Sequence, residues 1–174
     1  MSTGKYICIL NSDDIFNSNN TIENIVKKIE FEKDIEIFLF SLVFFKKNRH
    51  HEIIRHYKST TFKKWMLNIG IIPPHPSSII KRSTYIKNGL YNKSFKIAGD
   101  YELFLRLLSN KNIKYKTYDD IVVRMKTGGA SGKNIFSYLT TLNENYKALK
   151  LNKLYGNYFT LILKIPSKFL QFFF

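Results

Sequence analysis

The sequence predicts an α/β fold in which strands and helices alternate around a sheet. Three stretches carry this prediction: a short apolar run at residues 6–10, an amphipathic pattern at 19–31, and a long aromatic and β-branched run at 35–45. Strand, helix and strand at this spacing are typical of a βαβ unit and a mostly parallel sheet. At 174 residues the chain is long enough for one well-packed domain.

The helix predicted at 19–31 has both an apolar face and a start signal. Asn20 and Glu23 have the spacing of a capping box, which satisfies backbone N–H groups at a helix start. The apolar residues at helical spacing are Ile22, Ile25, Val26 and Ile29. Residues 46–64 follow the next strand and are rich in Lys, Arg and His without a clear period, so we expect a loop with at most a short strand.

The second half of the chain continues the alternation. Prolines and a glycine punctuate residues 71–95, which predicts a structured loop holding a short strand or a turn of helix. Residues 99–112 give the clearest helical pattern in the sequence. Two short strands are expected at 113–118 and 121–125, on either side of two aspartates, and a further amphipathic helix at about 134–151.

We expect residues 1–150 to form the domain and residues 151–174 to form a basic and aromatic C-terminal tail with amphipathic helical character. Lys164, Pro166 and Lys168 interrupt its apolar run, which is therefore too broken to cross a bilayer. Two interpretations of the tail stay open at this point. It lies in a membrane interface, with Lys side chains near anionic head groups, or it packs on its own domain.

Composition limits the class of protein and the class of partner. Hydrophobic residues make up 44% of the chain, which excludes a disordered protein. The 28 Lys and Arg residues exceed the 13 Asp and Glu residues, and the formal charge of +15 favours an anionic partner such as nucleic acid, phospholipid or a phosphorylated metabolite. The single cysteine, Cys8, excludes an intramolecular disulfide framework and suits the cytoplasm.

A short acidic motif, Asn-Ser-Asp-Asp at residues 11–14, follows the first predicted strand. The carboxyl ends of strands in open α/β sheets face the crevice where ligands bind, and adjacent Asp13 and Asp14 can supply oxygen ligands to Mg²⁺ or Mn²⁺. Asp is also a common turn residue, so this pattern alone leaves both interpretations open. Phosphatases of the haloacid dehalogenase type are excluded, because Asn11 stands where their nucleophilic Asp is needed.

A second set of residues extends from the Pro-rich segment into the helix at 99–112. It comprises His75, Ser77, Ser78, Lys81, Arg82, Gly89, Tyr91, Asp100, Tyr101, Glu102, Leu103, Arg106 and Leu107, and a Gly-Gly-x-Ser segment follows at Gly128, Gly129 and Ser131. Taken singly, these residues have ordinary structural explanations. Asp100 suits a helix N-cap, and Arg106 lies at the i, i+4 spacing for an ion pair with Glu102.

In this order and spacing, the chain from Gly4 to about Lys133 resembles the inverting nucleotide-sugar glycosyltransferases of family 2, in particular bacterial enzymes that build surface polysaccharides. The resemblance implies an incomplete GT-A-like (Rossmann-like) mixed sheet with flanking helices. It implies that Asp100 is the general base, and that Asp14, with Asp13 beside it, holds a Mg²⁺ or Mn²⁺ ion that bridges the donor diphosphate. The residues then expected at the donor and acceptor are Asn11, His75, Tyr101, Glu102, Arg106, Lys126, Gly129 and Ser131.

The resemblance also implies the partners: a nucleotide-sugar donor and a saccharide or lipid-linked acceptor, at the cytoplasmic face of an anionic membrane. The family's N-terminal nucleotide-binding half has no counterpart before the strand at 6–10. We therefore expect an apolar sheet edge, a second chain as a candidate source of the missing half, and little or no transferase activity from this chain alone. The alternative from another class is a non-catalytic basic module that binds nucleic acid or another polyanion through residues 44–64. Nucleic acid is the less favoured partner, because no known binding signature accompanies this segment.

Overall fold

The computed structural model describes residues 2–46, 49–127 and 135–162, which form a mixed sheet with helices on both faces. The strands are β1 (Tyr6–Cys8), β2 (Ile15–Phe16), β3 (Ile37–Lys46), β4 (Arg49–Tyr57), β5 (Ser78–Lys81) and β6 (Tyr115–Lys126). The α-helices are α1 (Thr21–Glu30), α2 (Arg82–Asn88), α3 (Gly99–Ser109), α4 (Ile135–Leu151) and α5 (Tyr158–Ile162). Short 3₁₀ helices occur at Ser59–Thr61, Lys64–Ile69 and His75–Ser77.

The strand order β1-β5-β3-β6-β2, with β4 paired to β3, makes the sheet mixed. The pairing of β3 with β6 is parallel, while β5 runs antiparallel to both β1 and β3. Strands β1, β3 and β6 therefore point in one direction. The predicted mostly parallel sheet is wrong because β5, from the Pro-rich segment, lies between the two strands of the expected βαβ unit. Its Ile79 and Ile80 are buried, one in each of two core clusters.

Two strands are longer than the sequence pattern predicts. The basic segment expected to be mostly loop contributes β4, which pairs with the C-terminal half of β3 through irregular register. Charged side chains are common on such edge strands. They obscure the alternation of apolar and polar residues by which a strand is predicted from the sequence. The two strands expected on either side of Asp119 and Asp120 form a single strand, β6, whose pairing with β3 shifts register between Leu39 and Ser41. This irregularity accommodates the two exposed aspartates within a continuous strand.

Strand β3 divides the core into two layers, because its successive side chains point to opposite faces of the sheet. Ile37 and Leu39 pack with α3 and α4 in the larger cluster. Phe38 and Phe40 pack with α1 in the smaller cluster, where both rings also stack against Tyr118. The prediction of a long buried strand at 35–45 is confirmed, and the result is a layered arrangement with one sheet between helices.

Helix α1 forms where expected but begins differently. The Asn20 side chain makes no capping hydrogen bond, so the predicted capping box does not form. Instead the Ser18 backbone N–H donates to Thr21 Oγ1 at 2.9 Å, and the buried Thr21 fixes the first turn. Ile25 and Ile29 are buried, as their helical spacing predicts.

Helix α3 is the central helix of the larger layer, and most of its residues from Tyr101 to Leu108 are buried. Its N-terminus therefore has a fixed position, which matters because Asp100 lies in its first turn. Helix α4 packs beside α3 and agrees with the predicted helix at about 134–151. Among the described residues, no helix is long and apolar enough to cross a membrane. The tail beyond residue 162 lies outside them.

Candidate functional site

The acidic motif and the segment that carries His75 meet at one edge of the sheet. Strand β1 ends at Cys8, which pairs with Ile79 of β5, and the Cys8 thiol lies 3.9 Å from the Pro76 carbonyl oxygen. The chain leaving β1 and the chain entering β5 are therefore neighbours. Strands β3 and β6 run in the same direction as β1 but extend beyond it, and the acidic motif that follows β1 lies beside Lys126 at the carboxyl end of β6. The carboxyl ends of strands are where ligands bind in α/β sheets.

The acidic motif forms a tight turn that buries one of its two carboxylates. The Asp14 backbone N–H donates to the Asn11 carbonyl at 3.1 Å, and Asn11 Nδ2 donates to Asp14 Oδ2 at 2.7 Å. The backbone N–H of Lys126, at the end of β6, lies 3.4 Å from Asp14 Oδ1. Asp14 is only 5% exposed, whereas Asp13 is exposed. Asp14 thus joins β6 to the turn and leaves Asp13 open to a ligand.

Burial gives Asp14 an unusual electrostatic environment. Burial raises the pKa of Asp14, the hydrogen bonds from Asn11 and Lys126 lower it in part, and the negative charge of Asp13 raises it further. A cation beside this turn would offset the repulsion between the two carboxylates. The turn is consequently a favourable place for positive charge.

The oxygen donors of the turn fit a Mg²⁺ or Mn²⁺ ion that is held mainly by substrate and water. Mg²⁺ is commonly bound through one or two carboxylates plus substrate phosphates. Within the ranges that the structure describes, no group of three or more His, Cys, Asp or Glu side chains could hold a metal ion. Asp13 is the accessible carboxylate. Asp14, expected as the main metal ligand, is buried and orients the turn that presents Asp13, and its role as a ligand stays a prediction.

A second polar cluster surrounds Asp100 at the start of α3. His75 Nε2 and the Tyr91 hydroxyl are 2.5 Å apart, and the His75 ring meets the ring of Phe104 edge-on at 5.9 Å. Burial lowers the pKa of His75, and the nearby negative charge of Asp100 raises it in part. The imidazole is therefore neutral near pH 7, and one of its nitrogens pairs with a phenol.

Two tyrosines complete the surroundings of Asp100. Burial raises the pKa of Tyr57 and of Tyr91, and the negative charge of Asp100 adds to both increases. The Tyr57 hydroxyl donates to the Ile72 carbonyl, and the Tyr91 ring stacks on Tyr85 at 6.3 Å between centroids. Both phenols stay protonated at neutral pH. Asp100 is thus a carboxylate beside neutral hydrogen-bonding groups in a partly buried site.

Asp100 is not the N-cap of α3, contrary to the simplest interpretation of its place in the sequence. Ala98 holds the N-cap position. The backbone N–H groups of Lys96, Ile97 and Ala98 all donate to the Glu144 carboxylate of α4, at 2.8, 2.9 and 2.8 Å. Glu144 thus holds the segment that leads into α3. The Asp100 side chain makes its own contact at the helix start, because its Oδ1 accepts a hydrogen bond from the Tyr101 N–H at 2.7 Å, one of the N–H groups without an acceptor in the helix.

The next polar residues of α3 make structural contacts. The buried Glu102 carboxylate accepts two hydrogen bonds from Arg106, at 2.9 and 3.0 Å. Arg106 also donates to the carbonyl oxygens of Asn88, Gly89 and Leu90, which holds the end of α2. Gly89 has φ of +92°, and a Cβ there would lie 3.2 Å from Arg106 Nη1. The two hydrogen bonds from Arg106 to Glu102 confirm the predicted ion pair between these residues.

Tyr101 points away from the polar cluster, into the core. Its hydroxyl donates to the Leu67 carbonyl at 2.5 Å, and burial raises its pKa. The donor- or acceptor-binding roles predicted for Tyr101, Glu102 and Arg106 stay predictions. The contacts described for these three residues are those of side chains that support α3.

The predicted site residues that the structure describes thus fall into two groups. Asn11, Asp13, Asp14 and Lys126 come together at the acidic turn. His75 and Asp100 interact in the second cluster. Gly129 and Ser131 lie outside the described residues. Glu144 and Tyr57 were not predicted from the sequence. No local motif marks either one, although Glu144 is the one acidic residue of α4.

Comparison with known proteins supports the fold. No family model matches the chain, and no curated protein matches it. Among solved structures, it superimposes on residues 1–349 of TarS, a glycosyltransferase from S. aureus crystallised in complex with UDP-GlcNAc, with a TM-score of 0.57 and 14% sequence identity. The match covers 87% of this chain and 42% of that chain. The chain therefore has a glycosyltransferase-like fold, and its mixed sheet with flanking helices is consistent with the GT-A-like class.

Proposed function

We propose that this chain carries the metal-binding and acceptor-activating part of a nucleotide-sugar glycosyltransferase. The observation that carries the proposal is the position of Asp100. Its carboxylate lies in the first turn of α3, in a partly buried polar cluster with His75, and Glu144 holds the segment that leads into this turn. The glycosyltransferase-like fold and the acidic turn after β1 support this assignment.

In the proposed reaction, Asp100 acts as the general base. Its carboxylate accepts the proton of an acceptor hydroxyl while that oxygen attacks the anomeric carbon and the bond to the nucleoside diphosphate breaks. One carboxylate facing the leaving group suffices for inversion of the anomeric centre. His75 is a positioning residue: neutral and paired with Tyr91, it adds no cation that would pair with Asp100 and weaken it as a base.

The acidic turn would receive the donor. Asp13 would ligate a divalent cation, and Asp14, buried against Asn11 and the Lys126 backbone, would hold the turn in place. When bound, Mg²⁺ or Mn²⁺ offsets the negative charge that develops on the departing diphosphate. The Lys126 side chain at the end of β6 would add a further positive charge near the phosphates.

The finer features of the proposal follow from the resemblance of the motifs. The acceptor would be a saccharide or a lipid-linked saccharide used in surface polysaccharide synthesis, and the reaction would take place on the cytoplasmic side of the membrane. A second chain is the proposed source of further donor contacts. UDP is the nucleotide to test first, because UDP-GlcNAc is the ligand of the TarS structure.

Calorimetric titration of the purified chain with UDP, with and without Mn²⁺, tests the proposal. We expect Mn²⁺-dependent binding that Asp13→Asn abolishes and Asp14→Asn weakens, and that Asp100→Asn leaves unchanged. Any sugar transfer that is measurable as UDP release should fall by about 100-fold or more in Asp100→Asn, the range typical of a lost general base.

Asp34→Asn is the matched control for Asp13→Asn. The Asp34 side chain is 85% exposed and precedes the opposite end of β3, so this change removes the same charge away from the site. UDP binding that is unaffected by Mn²⁺, or that responds equally to Asp13→Asn and Asp34→Asn, would contradict the proposed metal site. Undiminished transfer by Asp100→Asn would exclude Asp100 as the base.

A further inference from the structure

Tyr155, Phe159 and Ile162 are exposed apolar residues of the short segment that follows α4, and we call them together the C-terminal apolar surface. Their exposed fractions are 89%, 71% and 45%. Phe159 and Ile162 are three residues apart in α5, so they share one side of that helix. Several exposed apolar side chains in one short segment are typical of an interaction or membrane site, whereas single ones are common on protein surfaces.

Helix α5 is fixed to the domain by its other sides. Leu161 is buried in the larger core cluster, and the Tyr158 ring stacks on Tyr146 at 4.4 Å between centroids. Thr160 Oγ1 donates to the Asn68 carbonyl at 3.3 Å. The two interpretations of the tail are therefore compatible in this helix, since one side packs on the domain while the other leaves apolar side chains exposed.

The described chain that forms this surface is basic. Residues 145–162 contain three Lys and no Asp or Glu. One of them, Lys153, follows α4 with φ of +54°, in the left-handed region. Glycine is the usual residue at that position after a helix, and a Lys there is less favourable. Lys153 thus places an exposed positive charge two residues before Tyr155.

We propose that the C-terminal apolar surface docks on an anionic lipid bilayer, with Phe159 and Ile162 entering the interface and nearby Lys side chains contacting acidic head groups. Apolar groups beside Lys, without acidic residues, are typical of segments that lie in such an interface. A second copy of the chain is disfavoured as the occupant, because both copies carry a charge of +15. Tyr155 and Phe159 also offer stacking planes for bases, so nucleic acid is the competing occupant.

The inference is independent of sugar transfer and is tested by co-sedimentation of the full chain with vesicles. We expect binding to vesicles of equal parts phosphatidylcholine and phosphatidylglycerol, weaker binding to phosphatidylcholine alone, and release by salt. Phe159→Ala should weaken binding by about tenfold, the effect of exposing rather than burying one large apolar side chain. Phe31→Ala is the matched control. Phe31 is 86% exposed at the end of α1, and α1 packs in the core layer on the other face of the sheet from α5.

Lys153→Gly separates docking from folding damage. The glycine relieves the left-handed backbone and should make the protein more stable to heat, while loss of one surface charge weakens vesicle binding by about fivefold. Equal binding by wild type, Phe159→Ala and Lys153→Gly would overturn the proposal, as would equal binding to neutral and anionic vesicles. Stronger, Phe159-dependent binding to single-stranded RNA than to vesicles would assign the surface to nucleic acid instead.

Discussion

Removing the Glu144 carboxylate should most clearly test which contacts hold the start of α3 in place. This carboxylate joins α4 to the three backbone N–H groups before α3. In Glu144→Ala these groups lose their acceptor, and two of them, from Ile97 and Ala98, are partly buried. Counting about 1 kcal/mol for each partly buried bond and less for the exposed Lys96 gives a loss of about 2 to 3 kcal/mol. For a chain of this size the melting temperature should fall by roughly 5 to 10 °C.

The pH dependence gives Glu144 a second signature. Burial raises the pKa of Glu144, but the three N–H groups and Lys147 lower it, and the net pKa is below the ordinary value. The folded state therefore holds this proton less tightly than the unfolded state does. The stabilisation is present above the ordinary carboxyl pKa of about 4.3 and is lost as the pH falls through the folded-state value. Glu144→Gln should flatten the dependence of stability on pH in that range.

Urea unfolding followed by circular dichroism, at neutral pH and near pH 4, measures both effects. Glu23→Gln serves as the control, since the Glu23–Lys27 ion pair on α1 is mostly exposed and should contribute less than about 0.5 kcal/mol. If Glu144→Ala unfolds within 0.5 kcal/mol of wild type, then the Glu144 contact does not hold the start of α3. The position of Asp100 in the first turn of α3 would then depend on other contacts.

Two further predictions concern buried charge. Arg106→Met should destabilise the protein by about 3 to 5 kcal/mol in urea unfolding, because Glu102 is left buried and unpaired. The double variant Glu102→Gln, Arg106→Met should recover part of that loss. An Arg106→Met protein as stable as wild type would contradict the expectation. Burial lowers the pKa of His75, so the folded state binds fewer protons than the unfolded state and stability should fall as the pH drops from 7 through about 6.5. His75→Gln should reduce this slope between pH 7 and 5, and an unchanged slope would show that His75 is not the titrating group.

The sequence predicts the elements whose pattern is local. Helix α4 and buried strand β3 agree with apolar spacing, and the Glu102–Arg106 pair agrees with i, i+4 geometry. Strand β5 was missed as a sheet partner because it has only four residues and follows several prolines. It is a strand because it pairs with β1 on one side and β3 on the other, which its own sequence does not indicate. The buried role of Asp14 depends on the Lys126 backbone, which is distant in sequence. Glu144 was missed for the same reason, since its three partners lie on another element.

The position of β5 between β1 and β3 also has a consequence for how the chain folds. Cys8 pairs with Ile79, and Ile37 pairs with both Ile80 and Tyr115, so most strand pairs join distant parts of the sequence. High contact order slows folding, because long loops must close before such contacts form. During synthesis, β1 must wait for β5 to leave the ribosome, and the acidic turn must wait for β6. Assembly of the candidate site is therefore a late event, and a chaperone that shields β1 and β3 until then should raise the yield of folded protein.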